Sequence, residues 1–391
     1  MKKILLVNKS FETGGIQSSL INMANELCGY YDVDLYIYNP TGALKDRLND
    51  KVTVLEPSWR FKAIGSSVSE LLHSHNIKGL IFKLFASVWT KAFGNRLPIE
   101  IAIKHQKTLK GYDLAVAYHQ EQRKKAVISG FTRFVDRCVE AKTKAAWLHF
   151  DSDTIDLDSE YNNEFYSKMD KLFCVSKSLK SNFAKNNPEL ASKTDYCYNF
   201  MLYDLMQEKS KLSQEVSFED GKTICFSACR LAREKALPRA ICAVSEIFES
   251  NPDVMWYIAG DGPERSNIEE AINTCKLQGR VILIGNQSNP YPYMKNADLV
   301  INVSYHEAAP MTFFEAKAMG TPVFATRTSS AEELLCDGVD SFICENSENG
   351  IKEKFAWLMD NKDEIKKAKA QLVNHIASNK ESLEKIEELL N

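Results

Sequence analysis

The sequence predicts an α/β protein built as two parallel-sheet domains, on three observations. Short apolar runs alternate with amphipathic helical stretches along most of the chain, the pattern of repeated strand–helix–strand units with parallel strands. The 391 residues exceed what one ordinary core holds and suit two. A polar stretch with no clear period, 199–222, interrupts the alternation near mid-chain and ends in EDGK.

Element by element, 4–8 reads as the opening strand, followed by a helix near 16–28. Further strands read at 33–38, 52–55, 113–118, 144–149 and 171–176. In the second half, strand 223–228 precedes a helix from Pro238, and 255–260 a helix from Pro263. Strand 281–285 leads to a short helix near 292–296, and 298–304 to a helix through 313–319. Strand 321–326, a helix near 330–336 and strand 341–345 complete the alternation. These bounds give an N-terminal domain over 1–200, a C-terminal domain over 201–375 and a charged helical tail, 376–391. The tail either caps the second domain or crosses back to the first. Open α/β sheets take ligands beyond the carboxyl ends of their strands, so the strand-end loops are where chemistry is expected.

Composition excludes several classes. A net charge of -3 gives no global attraction to nucleic acid, and no nucleic-acid-binding module is recognisable. The ten cysteines show no paired spacing, and most sit in apolar runs, as buried free thiols of a reducing cytosol do. Cys225 and Cys229 have no histidine nearby, and His73 with His75 lack a third ligand, so no metal is expected. The N-terminus turns polar too soon for a signal peptide, and no apolar run reaches the roughly 18 to 20 residues of a membrane span. A cytoplasmic location follows. Locally, nine basic residues face two acidic ones between 58 and 110. Within that stretch 79–93 is apolar almost all round. It is either an internal helix or a peripheral contact with an anionic membrane face.

The most informative segment is 304–323, SYHEAAPMTFFEAKAMGTPV. It follows a buried-looking strand and opens a helix, with Pro310 suited to the first helical turn. Such a helix N-terminus points free N–H groups and a positive dipole end outward, a seat for a diphosphate. Glu307 precedes the helix and Glu315 lies within it, so both carboxylates can face one pocket and accept bonds from vicinal hydroxyls. Alone, two glutamates at this spacing would read as a solvated helix face. The strand before them and Gly320-Thr-Pro-Val after them favour a site.

This segment resembles the Glu-x7-Glu signature of the retaining glycosyltransferases of family 4, matched by Glu307, Glu315, Ala316, Gly320, Pro322 and Val323. The resemblance implies the GT-B fold, two Rossmann-like domains facing a cleft. It also implies metal-independent transfer from a nucleotide-diphosphate sugar with retained anomeric configuration. In that family the first glutamate contacts the donor sugar and the second the ribose, with Ala308, Ala309, Pro310, Met311 and Thr312 in the donor loop. Ala308 and Ala309 depart from the usual glycine. Upstream, Arg230 and Lys235 resemble the pair that holds the donor diphosphate, with Cys229 and Ala236 in place of two glycines. Their charge suits a leaving group that gains negative charge as the glycosidic bond breaks. An ordinary basic strand-to-helix loop is the plainer account. Gly260-Asp261-Gly262 and the 280–286 strand resemble the family's nucleotide-side segments, with Val281 and Asn286 as base-side positions. Main-chain recognition does not separate uracil, guanine and adenine, and UDP is taken as the expected nucleotide.

In the first half, Gly14-Gly15 resembles the family's loop that approaches donor phosphate and acceptor. It is not a G-x-G-x-x-G fingerprint, and a plain turn is the alternative. His149 ends a strand in AWLHFD and resembles the family's histidine beside the reacting sugar, where a neutral imidazole donates to a hydroxyl. A structural histidine is the alternative. Ser176 and Asn199 read as structural, and His119 as a weak acceptor contact. The expected catalytic set is His149, Arg230, Lys235 and Glu307. The expected partners are a nucleotide-sugar donor and a saccharide or lipid-linked saccharide acceptor, in polysaccharide or glycolipid assembly. A nucleotide-sugar epimerase of the same fold and a non-catalytic sugar-nucleotide-binding subunit are the rivals.

Overall fold

The computed structural model describes residues 1–150, 159–373 and 375–391. Asp151, which closes the AWLHFD segment, lies outside them. The chain divides into two compact units, Met1–Phe200 with Asn379–Asn391, and Met201–Ser378.

The first unit holds seven strands: β1 (Lys3–Ser10), β2 (Asp32–Asn39), β3 (Thr53–Leu55), β4 (Leu109–Ala117), β5 (Val139–Leu148), β6 (Lys171–Cys174) and β7 (Thr194–Tyr196). They pair in the order β3-β2-β1-β4-β5-β6-β7, every pair parallel. Six of these were legible as apolar runs. β7 was not, because its Thr-Asp-Tyr has no apolar pattern. It sits at the sheet edge, where Asp195 is held by Lys180 and Lys385, each at 2.8 Å. Lys385 belongs to the terminal helix Lys380–Leu390, which buries Ile386 and donates through Ser382 Oγ to Tyr198 O at 3.1 Å. Between β3 and β4 the crossover is made of four helices, Trp59–Gly65, Val68–His73, Ile77–Phe93 and Arg96–Lys104, where the sequence offered one.

The second unit holds β8 (Thr223–Ala228), β9 (Val254–Ala259), β10 (Val281–Gly285), β11 (Leu299–Asn302), β12 (Val323–Thr326) and β13 (Ser341–Cys344). Their order is β10-β9-β8-β11-β12-β13, all parallel. A parallel sheet covered on both faces needs strands apolar throughout. The strand period of two then sorts them. Cys225, Trp256 and Ile258 enter the core under the helices Leu237–Ser250 and Glu348–Asp360. Ile224, Phe226, Met255 and Tyr257 enter the opposite core with Tyr293 and Phe313. Phe226 stacks on Tyr293 at 5.5 Å.

The chain runs outward from β8 through β9 to β10, then returns to the other flank of β8 with β11. This reversal opens a crevice at the carboxyl ends of β8 and β11. The loop after β8 is locked to the loop after β9 by main-chain bonds, Leu231 N to Asp261 O at 3.0 Å and Glu264 N to Leu231 O at 3.0 Å. Contact this close explains two glycines. At Gly260, with φ at 139°, a Cβ would collide with Cys229 O, and at Gly262 with Leu231 O. Gly260→Ala is therefore expected to destabilise the second unit by about 3 kcal/mol, read as a lowered urea midpoint. An unchanged midpoint would show that the two loops have room to separate.

Candidate active site

The crevice at the strand reversal is lined by residues including Ala228, Cys229, Lys235, Asn302, Ser304 and Thr312. Lys235 ends the tight turn Arg233–Lys235 after β8. Its Nζ lies 2.6 Å from Glu307 Oε1. Ser304 Oγ donates to the same oxygen at 2.7 Å, and Asn302 Nδ2 reaches it at 3.4 Å. Ser330 Oγ holds the Glu307 carbonyl at 2.9 Å. Among the described residues no donor reaches Oε2. One carboxylate oxygen is anchored and the other keeps its acceptor capacity. Burial by itself would depress the Lys235 ammonium, but the charge and hydrogen bond of Glu307 outweigh it and raise its pKa above the ordinary lysine value. The Lys235 ammonium is charged across the physiological range.

Asn302 Nδ2 also reaches Thr312 Oγ1 at 3.4 Å, which turns that flank of the helix Met311–Ala318 to the crevice. Glu315, three residues on, shares the flank and is half-buried, while Phe313 and Ala316 enter the core. Pro310 is the residue before this helix, with φ -66° and ψ 125°, rather than its first member. The loop tolerates alanine where the resemblance expects glycine, because neither Ala308 nor Ala309 has a positive φ. Ala236 differs. It is buried with φ at 52°, a conformation glycine adopts freely and alanine at a cost of about 1 kcal/mol.

Arg230 stands apart from this cluster. It is exposed and pairs with Glu234 at 2.6 Å. Asp261 caps its own turn, Oδ1 accepting from Gly262 N at 2.8 Å. Asn286 is exposed just beyond β10, and Gly260 N bonds Gly285 O at 2.7 Å, so these segments share the carboxyl edge. Val281 does not reach it. This residue is buried in the core at the amino end of β10, about 13 Å of strand from Gly285. The reason is that the apolar start of a parallel strand packs under helices, whereas its end opens on loops.

Several supporting residues were not singled out from sequence. Arg239 donates to Val303 O at 3.0 Å and Asn346 Oδ1 at 2.8 Å, with its guanidinium 4.2 Å from the Tyr305 ring centre. Asn346 in turn donates to Tyr305 O at 3.0 Å. These two hold the loop that presents Glu307, from 68 residues before it and 39 after. Ser304 was visible only as the first letter of the motif.

In the first unit, Gly14 has φ at 175°, extended backbone open to any residue, and Gly15 is an exposed helix start with nothing near its Cβ position. Neither glycine is required by the conformation. His149 is buried, its Nε2–H donating to Tyr118 O at 2.8 Å, with the ring 4.9 Å from Tyr118. In this tautomer the remaining ring nitrogen, Nδ1, accepts rather than donates, the reverse of the expected role. His119 is buried against Phe131. Tyr118 bonds Ser19, which donates to Asn199 Oδ1 at 2.8 Å, and Ser176 caps the helix Lys177–Asn186. Both Ser176 and Asn199 therefore brace the fold.

Two outcomes follow. Removing Lys235 leaves the anchored carboxylate without its cation. Lys235→Met is expected to destabilise the second unit by about 2 kcal/mol, and Lys235→Met with Glu307→Gln by less than the sum of the single changes. Additive effects in the double-mutant cycle would refute the coupling. Burial holds the imidazoles of His149 at about 3 and His119 at about 4. The unfolded chain takes up protons near pH 6.5 that the folded chain refuses. This contribution is complete above roughly pH 6.5 and shrinks as pH falls towards about 4 for His119 and about 3 for His149. His149→Asn is expected to melt with a shallower loss of stability over that window, and parallel pH profiles would contradict it.

Residues 208–375 match the family described as glycosyl transferases group 1. The chain is 29% identical over 137 residues to the alpha-monoglucosyldiacylglycerol synthase of Streptococcus pneumoniae, 34% of this chain and 31% of that protein. It is 25% identical over 171 residues to the N-acetyl-alpha-D-glucosaminyl L-malate synthase of Bacillus anthracis, 43% and 44% respectively. The chain thus spans less than half the length of these curated relatives. Among solved structures, Anabaena Alr3699/HepE with UDP-glucose aligns with TM-score 0.69 at 18% identity, over 100% of this chain and 98% of that one. TarM of S. aureus aligns with TM-score 0.68 at 13% identity, over 100% of both. The fold is that of these GT-B proteins, two Rossmann-like parallel-sheet domains.

Proposed function

We infer, for a chain whose residues 208–375 form a group 1 glycosyltransferase domain, that the protein moves a sugar from a nucleotide-diphosphate donor to an acceptor hydroxyl, retaining anomeric configuration and using no metal ion. One observation carries this reading: the Lys235–Glu307 pair at the strand reversal, with Glu307 Oε2 left to accept from a ligand. As the glycosidic carbon–oxygen bond breaks, its electron pair passes to the diphosphate, and a fixed cation in a shielded crevice stabilises that charge. Lys235 supplies it. Arg230 joins from its surface pair with Glu234, a pair worth less than about 1 kcal/mol and easily exchanged.

Glu307 orients the donor sugar and Glu315 takes the ribose, with the N-terminus of the helix Met311–Ala318 against the phosphates. The acceptor hydroxyl attacks from the face the nucleotide leaves, and its proton goes to the departing phosphate. The bare Gly14-Gly15 turn supports a close approach by phosphate or acceptor, since the backbone does not demand glycine there. His149 contacts the reacting sugar through Nδ1, as an acceptor. UDP is the expected nucleotide, a choice supported by the UDP-glucose in the Anabaena structure. The acceptor is a saccharide or lipid-linked saccharide. The name of the S. pneumoniae relative lends weight to glycolipid assembly. All ten cysteines are free thiols, in keeping with a cytoplasmic setting.

A panel of UDP-, GDP- and ADP-sugars, assayed for nucleotide release with EDTA present, tests this reading. Release from UDP-sugars is expected to survive EDTA. Glu307→Gln is expected to lower kcat by about 10²-fold or more without changing the circular dichroism spectrum. Product anomers read by NMR decide the stereochemistry. An inverted anomer would reject the mechanism, and donor isomerisation without acceptor would replace transfer by epimerisation.

A further inference from the structure

One helix of the first unit is inside out. The helix Ile77–Phe93 turns Gly79, Phe82, Lys83, Ala86 and Thr90 inward, a stripe at helical spacing that contains a lysine and a threonine. Lys83 is only 7% exposed and Thr90 0%, whereas Val88 is 71% exposed and Ile81 64%. Ile77, Ile81, Leu84, Phe85 and Val88 recur at i, i+4, i+7, i+8 and i+11, which is a continuous apolar stripe on the solvent face. The inward lysine is satisfied by its bond to Ile64 O at 2.7 Å, so the packing of the unit accounts for the inner face. Nothing in the unit accounts for the outer one.

The surroundings extend the same surface. Trp59, on the helix Trp59–Gly65 packed beside it, is 5.7 Å from Phe82 and partly exposed, and Leu72 on the helix Val68–His73 is exposed. Half of the exposed large apolar side chains of the described residues, 10 of 20, fall between 59 and 97. Folded soluble domains rarely expose such a contiguous patch without a partner. Its rim is cationic. Lys78 and Lys91 flank the stripe exposed, whereas Lys83 is turned inward and Lys62, Arg96 and Lys110 nearby in sequence pair with Glu56, Glu164 and Glu140.

We propose that the outer face of Ile77–Phe93 is a docking surface for an anionic lipid bilayer, on which this helix lies flat with its apolar stripe among the acyl chains and its lysines at the headgroups. The charge chooses the occupant. A second copy would bring the same basic rim against itself, while anionic headgroups meet it with opposite charge. Among the described residues no helix is long and apolar enough to cross a membrane, so the contact is peripheral.

The test is co-sedimentation of the full chain with vesicles of phosphatidylcholine alone or with roughly 30% phosphatidylglycerol, in the absence of nucleotide, so that the outcome is independent of sugar transfer. The wild type is expected to bind the anionic vesicles and lose most of that binding at high salt. The triple change Ile81→Ser, Leu84→Ser, Val88→Ser is expected to lower the bound fraction about tenfold at unchanged melting temperature. Lys78→Glu with Lys91→Glu is expected to remove the preference for anionic vesicles. Equal sedimentation of wild type and triple variant would overturn the proposal. So would a wild-type dimer by light scattering that the triple change converts to monomer, because the occupant would then be a second copy.

Discussion

The return of the chain to the far side of β8 is the constraint on which the candidate site depends. A parallel sheet ends all its strands on one edge, and each loop there normally closes over its neighbour. Only where two successive loops leave in opposite directions does the edge stay open. Lys235 arrives at that opening from the loop after β8, and Glu307 from the loop after β11. They are 72 residues apart in sequence and 2.6 Å apart in space. Gly260 and Gly262 then matter for position more than for contact, since their missing side chains let the neighbouring loop close down and set the height of Lys235.

Charge in the crevice is arranged asymmetrically. Three donors converge on one oxygen of Glu307, and its main-chain carbonyl is pinned by Ser330, so the side chain is oriented before any ligand arrives. Preorganisation of this kind lowers the reorganisation needed when charge develops. The cations differ in the same way. Lys235 is half-buried and fixed, while Arg230 is exposed and held only by a surface partner. One is fixed inside the crevice and the other is paired at the surface. Behind both, Arg239 and Asn346 brace the loop that presents Glu307 through main-chain carbonyls, which makes its geometry a property of the whole sheet edge.

The first unit shows the same economy in uncharged form. His149 and His119 are kept neutral by burial, and the His149 tautomer is set by Tyr118 O. The helix Ile77–Phe93 lies in the four-helix crossover of the same unit, and its inversion is a feature of that insertion rather than of the sheet.

By itself the sequence determined what local chemistry determines. Apolar runs bounded by turn residues located twelve of the thirteen strands, because a strand buried on both faces must be apolar along its length. The spacing of Glu307, Glu315 and Gly320 singled out a candidate site for a similar reason, since strand end, loop and helix start are contiguous in the chain. Tertiary structure decided what contiguous residues do not encode. β7 escaped detection because an edge strand is defined by its neighbour's hydrogen bonds and not by its own apolarity. Val281 was misplaced because a motif does not say which end of its strand meets the crevice. The division of Glu307 into an anchored and an open oxygen, the tautomer of His149 and the outward face of 77–93 all depend on partners distant in sequence. Burial and hydrogen-bond direction are properties of packed surroundings, and a residue acquires them only when the sheet is assembled.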